Sequence, residues 1–191
     1  MRSTAVMLGL LAAACGSSGG TPDAAMNSHD GATADVPGGV GEPPELVGIT
    51  LAHNQVRATV GVPALTWDPA LAKIATDWVV QCMDTDGNGL VDHNAGRSAT
   101  YPTYVGENIY ASSGTATGQA AVTAWASESV DYTHATNTCA TGKVCGHYTQ
   151  LVWRDTMKVG CALHSCPGLA YPSTVVCDYG PGGNVNGQSP Y

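Results

Sequence analysis

Phenylalanine is absent from the 191 residues, and basic side chains are scarce: seven Lys and Arg stand against fifteen Asp and Glu, a formal net charge of -8. So little positive charge argues against capture of nucleic acid, which needs clustered Lys and Arg. It also gives no attraction to anionic lipid surfaces. Charged residues of both signs make up 12% of the chain, while Gly (24) and Pro (11) are plentiful, a balance that points to a loop-rich fold or a flexible segment. The apolar run near the N-terminus, Ala5 to Ala14, is too short to span a bilayer as a mature helix. HExxH is missing, and GxSxG occurs only as GSSGG (16–20), in a Gly/Ser-rich stretch without the strand-to-helix turn that a nucleophile elbow needs, so the usual zinc-protease and Ser-hydrolase signatures are not made. The length makes a single domain the default.

Cysteine is what the chain has in excess, with seven residues. Buried free thiols are one reading; an oxidising compartment is the better one, because the N-terminus looks like an export signal. In residues 1–15, MRSTAVMLGLLAAAC, Arg2 supplies the positive start, an apolar run follows, and small residues precede Cys15. That ending resembles a bacterial lipobox, in which the Cys becomes the lipidated first residue, although Ala12 stands where Leu is usual. Simple cleavage and secretion is the alternative. Setting Cys15 aside leaves six cysteines, which can pair completely, with fifteen pairings open on the sequence alone. Residues 16–45, rich in Gly, Ser, Ala, Asp and Pro, cannot bury enough apolar surface to offset ordering entropy and read as a disordered tether.

A folded domain is expected over 46–191. Leu46, Val47, Leu51 and Val56 suit a helix that carries His53, Asn54 and Arg57 in a structural polar contact near its end, closed by Gly61 and Pro63. Asp68-Pro69 opens a second helix, with Leu71, Ile74, Ala75, Trp78 and Cys82 as its core stripe. A third helix is expected from about Thr117 to Tyr132, and strands at Val159–Cys166 and Thr174–Tyr179. Helices early and strands late make an α+β domain.

Four segments identify the domain's kin. GHYTQLVWRDT (146–156), VVCDYGPGGNVNG (175–187), GENIY (106–110) and Asp92-His93-Asn94 resemble the signatures of the CAP superfamily, the cysteine-rich secretory, venom-allergen and plant pathogenesis-related class 1 proteins. LAHNQVRATVGVPALTWDPALAKIA (51–75) and GNVNGQSP (183–190) extend the similarity over essentially all of 46–191. The resemblance implies an α-β-α sandwich with a small antiparallel sheet between helices, stabilised by disulfides Cys82–Cys166, Cys139–Cys145 and Cys161–Cys177. It also implies a cleft holding His93, Glu107, Glu128 and His147. Two imidazoles flanked by carboxylates suit zinc or another divalent cation. Glu107 or Glu128 would be the catalytic base if the cleft hydrolyses anything. A hydrogen-bonded network without metal is the alternative. Tyr148 and Gln150 are candidates to line the cleft, Trp153 belongs to the core, and His134 and His164 are expected at the surface.

One stretch departs from the family. After Cys82 the chain reads DTDGNGLVDHN. Asp84, Asp86, Asn88, Leu90 through its carbonyl, and Asp92 occupy the ligand positions of a calcium loop, with Gly89 at the tight turn. Ala95 stands where the bidentate Glu belongs. Calcium is thus a second candidate ion, against an acidic surface turn. GPGGNVNG lacks the following Lys-Ser/Thr of a phosphate loop. The expectation is an extracytoplasmic, monomeric binding or interaction protein, secreted or held in the cell envelope by a lipid anchor. It would take a small-molecule or lipid-like ligand or a protein partner, with a metal-dependent hydrolase as the alternative.

Overall fold

The computed structural model describes residues 41–191; the expected export signal, Cys15 and most of the expected linker lie outside the described residues. Four helices, α1 (Ile49–Thr59), α2 (Pro69–Val79), α3 (Gly118–Ser127) and α4 (Gly146–Leu151), alternate with six strands. The strands are β1 (Thr66–Trp67), β2 (Gly106–Ser112), β3 (Tyr132–Thr133), β4 (Thr138–Cys139), β5 (Lys158–Ser165) and β6 (Ser173–Gly180). The main sheet runs β1-β5-β6-β2. The β5–β6 hairpin and the β6–β2 pair are antiparallel, whereas the short β1 joins β5 in parallel. β3 and β4 form a separate two-stranded ribbon.

Strand β6 is buried along nearly its whole length, because helices cover both faces of the sheet. Val176 lies on the face covered by α2, against Ala75 and Val79. Val175, Cys177 and Tyr179 point the other way, into a core shared with Ile49 of α1, Trp125 of α3 and Leu151 of α4. This is the expected α-β-α sandwich. The close approach of α2 requires a glycine: a Cβ on Gly160 of β5 would lie 2.1 Å from the backbone nitrogen of Ala72.

Helix α2 begins as its sequence indicates, with Asp68 accepting from the Ala70 and Leu71 amides and Pro69 at the first helical position. Its buried stripe is Leu71, Ala75 and Val79; the helix stops before Cys82, and Ile74 and Trp78 are half-buried.

Helix α1 departs further from expectation. Leu46 belongs to a preceding 3-10 turn and Val47 is exposed, while the buried face carries Ile49, Ala52, His53 and Arg57. Arg57 is fully buried and donates to the carbonyls of Pro63, Leu151, Trp153 and Thr156, tying the loop after α1 to the segment that follows α4. His53 and Arg57 are therefore core groups rather than a polar contact at a helix end. Glu42, within the stretch assigned to the linker, accepts from the amides of Gly48 and Thr50 and supplies the carboxylate that the start of α1 otherwise lacks.

The third helix ends at Ser127, and Glu128–Asp131 continues as a 3-10 turn. Strand β2 and helix α4 carry family signature segments but show no strong periodicity of their own. The three disulfides pair as the resemblance implies: Cys82–Cys166, Cys139–Cys145 and Cys161–Cys177.

Candidate functional site

Strand β2 forms one edge of the main sheet, and the polar residues of the signature segments gather around that edge. Alternation along β2 sends Glu107, Ile109 and Ala111 toward the α2 side and Asn108 toward the opposite core. His93 comes from the loop after α2, which is anchored by the Trp78 indole donating to the Asp92 carbonyl at 2.7 Å. His93 Nδ1 meets Glu107 Oε1 at 2.6 Å, and the Asn94 amide donates to the same oxygen at 3.0 Å.

The opposite wall repeats the arrangement. His147 Nδ1 meets Glu128 Oε1 at 2.6 Å, while Glu128 Oε2 accepts from the His147 and Tyr148 amides, each at 3.0 Å. The carboxylate thus serves both the ring and the exposed amides at the start of α4. The His147 ring stacks on Trp125, 6.4 Å between centroids.

Both rings place Nδ1 against a carboxylate, so the proton there is held and Nε2 is left as the ligating or accepting atom. His93 and His147 line one cavity of about 360 Å³ together with Asp86, Asn88, Leu90, Asp92 and Ile109. The glutamates do not extend their charges into it: Glu107 is buried, and Glu128 is committed to three donors. What the arrangement offers a metal is therefore a pair of oriented imidazole Nε2 atoms, a donor type that fits zinc-like ions.

A second layer, not foreseen from the sequence, supports His147. Asn108 donates to the His147 carbonyl and to the Tyr179 hydroxyl, at 3.0 and 3.3 Å. Tyr179 in turn meets His53 Nε2 at 2.8 Å, and His53 Nδ1 faces the Ile49 carbonyl at 2.8 Å. The carbonyl requires a proton on Nδ1, so Tyr179 donates to Nε2. Burial pushes His53 down to about 4, keeping it neutral. Alternation over GENIY could have separated Asn108 from Glu107, but no local signal pairs Asn108 with Tyr179.

Several expected residues lie elsewhere. Gln150 is buried and joins Gly183 and Thr156, and Tyr148 packs in the core with its hydroxyl on Tyr191, so neither lines the cavity. Trp153 is a core residue, as expected. His134 is exposed but stacks on Tyr191, and His164 is half-buried in β5.

In the loop after Cys82, Asp84, Asp86 and Asp92 bring one carboxylate oxygen each within 4.8 Å of one another, the one such set of three among the described residues. Asp84 and Asp86 accept from the Asn88 and Gly89 amides, and Asp92 accepts from Thr85.

The sandwich, the three bridges and the paired His–Glu walls define a disulfide-bonded cleft domain. A family model described as "CAP: Cysteine-rich secretory protein family" matches residues 50–179, and the chain belongs to that family. It is 46% identical over 141 residues to Pathogenesis-related protein 1B of Nicotiana tabacum, an alignment covering 73% of this chain and 77% of that one. GLIPR1-like protein 1 of Homo sapiens is 41% identical over 148 residues, covering 73% and 60%. Among solved structures, the crystal structure of NaASP2 with Zn2+ aligns with a TM-score of 0.59 at 25% identity, covering 79% of this chain and 90% of that one. Na-ASP-1 aligns with a TM-score of 0.61 at 24% identity, covering 82% of this chain and 45% of that one. The three disulfides fit an oxidising, extracellular environment.

Proposed function

We propose that the domain is an extracytoplasmic binding module in which His93 and His147 hold a divalent cation of the zinc type and the adjoining cavity receives a small or lipid-like ligand. The observation that carries this reading is the matched orientation of the two rings, each with Nδ1 on a glutamate and both lining one cavity. Carboxylate-to-histidine contacts of this kind fix the ring and raise its basicity as a ligand. The cavity volume is at the small end of the range for ligand pockets. The structure of NaASP2 with Zn2+ supports the choice of ion. A bound cation would supply Lewis acidity or a bridge to an anionic ligand group.

The engagement of both glutamates favours binding over hydrolysis. A general base needs an oxygen that can reach a water. Glu107 Oε2 is buried, and both oxygens of Glu128 are occupied. Calorimetric titration of the mature protein with Zn²⁺ near pH 7.4, beside a folded His93→Ala/His147→Ala variant, tests the proposal. Stoichiometric binding that the variant loses is the expected result. No heat in the wild type would overturn it.

The acidic loop is a second candidate ion site, favoured by the convergence of its three aspartates in the folded chain. Calcium there would take Asp84, Asp86, Asn88, Asp92 and the Leu90 carbonyl, and would stiffen the approach to His93. A calcium titration of Asp84→Asn/Asp86→Asn against the wild type tests it, with saturable binding confined to the wild type as the expected outcome.

A further inference from the structure

Glu107 and Asp178 are cross-strand partners in the β2–β6 ladder, so their side chains share one face of the sheet, beneath α2. Asp178 is fully buried and Glu107 nearly so. Three of their oxygens, Glu107 Oε2 and both carboxylate oxygens of Asp178, are buried without a hydrogen-bond partner. Among the described residues no Lys or Arg forms an ion pair with them, and the charge of Arg97 offsets only part of the effect of burial on Asp178. Arg97, from the loop before β2, turns its guanidinium to the Val105 and Asn94 carbonyls and the Tyr104 hydroxyl. From α2, the buried residues are the apolar Leu71, Ala75 and Val79, and Asp68 at its start is engaged by Lys158 and Tyr101. Opposite Asp178 on β5 stands Gly160, which brings no side chain.

Two ionised carboxylates cannot share so dry a space without a countercharge. One must carry a proton, and the local chemistry decides which. Glu107 Oε1 already accepts from the His93 ring N–H and the Asn94 amide, whereas the Asp178 carboxyl accepts from nothing. We propose that Asp178 is a neutral carboxylic acid that donates its proton to Glu107 Oε2, directly or through one enclosed water, and thereby positions Glu107 to receive His93. The relay runs from Asp178 O–H to Glu107 Oε2 and from His93 Nδ1–H to Glu107 Oε1. Burial, with the Glu107 charge adding to it, pushes the Asp178 carboxyl up to about 8, in the same direction as the geometric argument. Asp178 is thus a positioning residue that acts on the cleft through β2, and its role does not depend on whether the cleft holds a metal.

The test uses the metal-free protein and carboxyl ¹³C NMR, with ¹⁵N NMR of the histidine rings. At pH 6 the Asp178 carboxyl is expected at the chemical shift of a protonated acid, moving to the ionised shift only as pH rises past neutrality. An ionised Asp178 at pH 6 would overturn the proposal. Asp178→Asn keeps a donor of the same shape and is expected to retain the wild-type His93 tautomer, with the proton on Nδ1. Asp178→Leu removes the donor and is expected to lose that fixed tautomer while His147, paired with Glu128, keeps its own. An unchanged His93 signature in a folded Asp178→Leu would also overturn the assignment. Should that variant not fold, the wild-type carboxyl shift decides alone.

Discussion

Glu128 shows how much one side chain carries in this domain. Its two oxygens receive the His147 ring and two backbone amides at the start of α4, so it orients a cleft residue and caps a helix at once. Replacing it with Gln leaves a single acceptor oxygen for three donors. Glu128→Gln is expected to cost roughly 1–3 kcal/mol of stability, read from denaturant unfolding. The same change should weaken zinc binding about 10- to 100-fold by calorimetry. His53 is the residue that ties the cleft's support to pH. Held neutral at about 4 against an ordinary 6.5, it binds fewer protons folded than unfolded across that interval. Its contribution is complete above about 6.5 and falls away as pH drops toward about 4. The urea midpoint of the wild type should therefore decline more steeply over that window than that of His53→Gln, which carries no titrating ring.

At the scale of elements, the bridges differ in what they restrain. Cys82–Cys166 joins residues 84 apart, linking the end of α2 to the segment after β5, while Cys139–Cys145 spans a separation of six. The chain-entropy argument then gives the long bridge about 4–5 kcal/mol and the short one about 2 kcal/mol. Cys82→Ser/Cys166→Ser is expected to lower the denaturant midpoint more than Cys139→Ser/Cys145→Ser does. Helix α2 was legible because its cap, its proline and its apolar period agree. Helix α1 was legible as a helix but not by face: its buried side holds His53 and Arg57, whose partners are residues about a hundred positions away. Six-residue α4 is too short for a periodic signal, and β2 mixes polar residues on both faces because it borders a cleft.

For the whole molecule, the lipobox-like ending at Cys15 gives an expectation about location that is separable from the fold. If Cys15 is lipidated, Cys15→Ala should move the protein from the membrane fraction of its host to the soluble one, measured by detergent partitioning. If the signal is simply cleaved, both forms will be soluble. The sequence by itself determined the family and the class of fold, because these rest on local motifs and composition. The disulfide pairing and the four cleft residues were legible through the resemblance alone, since spacing cannot group positions as far apart as His93 and His147. Only the tertiary structure decided how those residues are used. The sheet register sets Glu107 beside Asp178, and the edge position of β2 lets the His93 and His147 walls meet over one cavity. Such pairings arise from strand order and burial, which bring together side chains that carry no mark of each other in the linear chain.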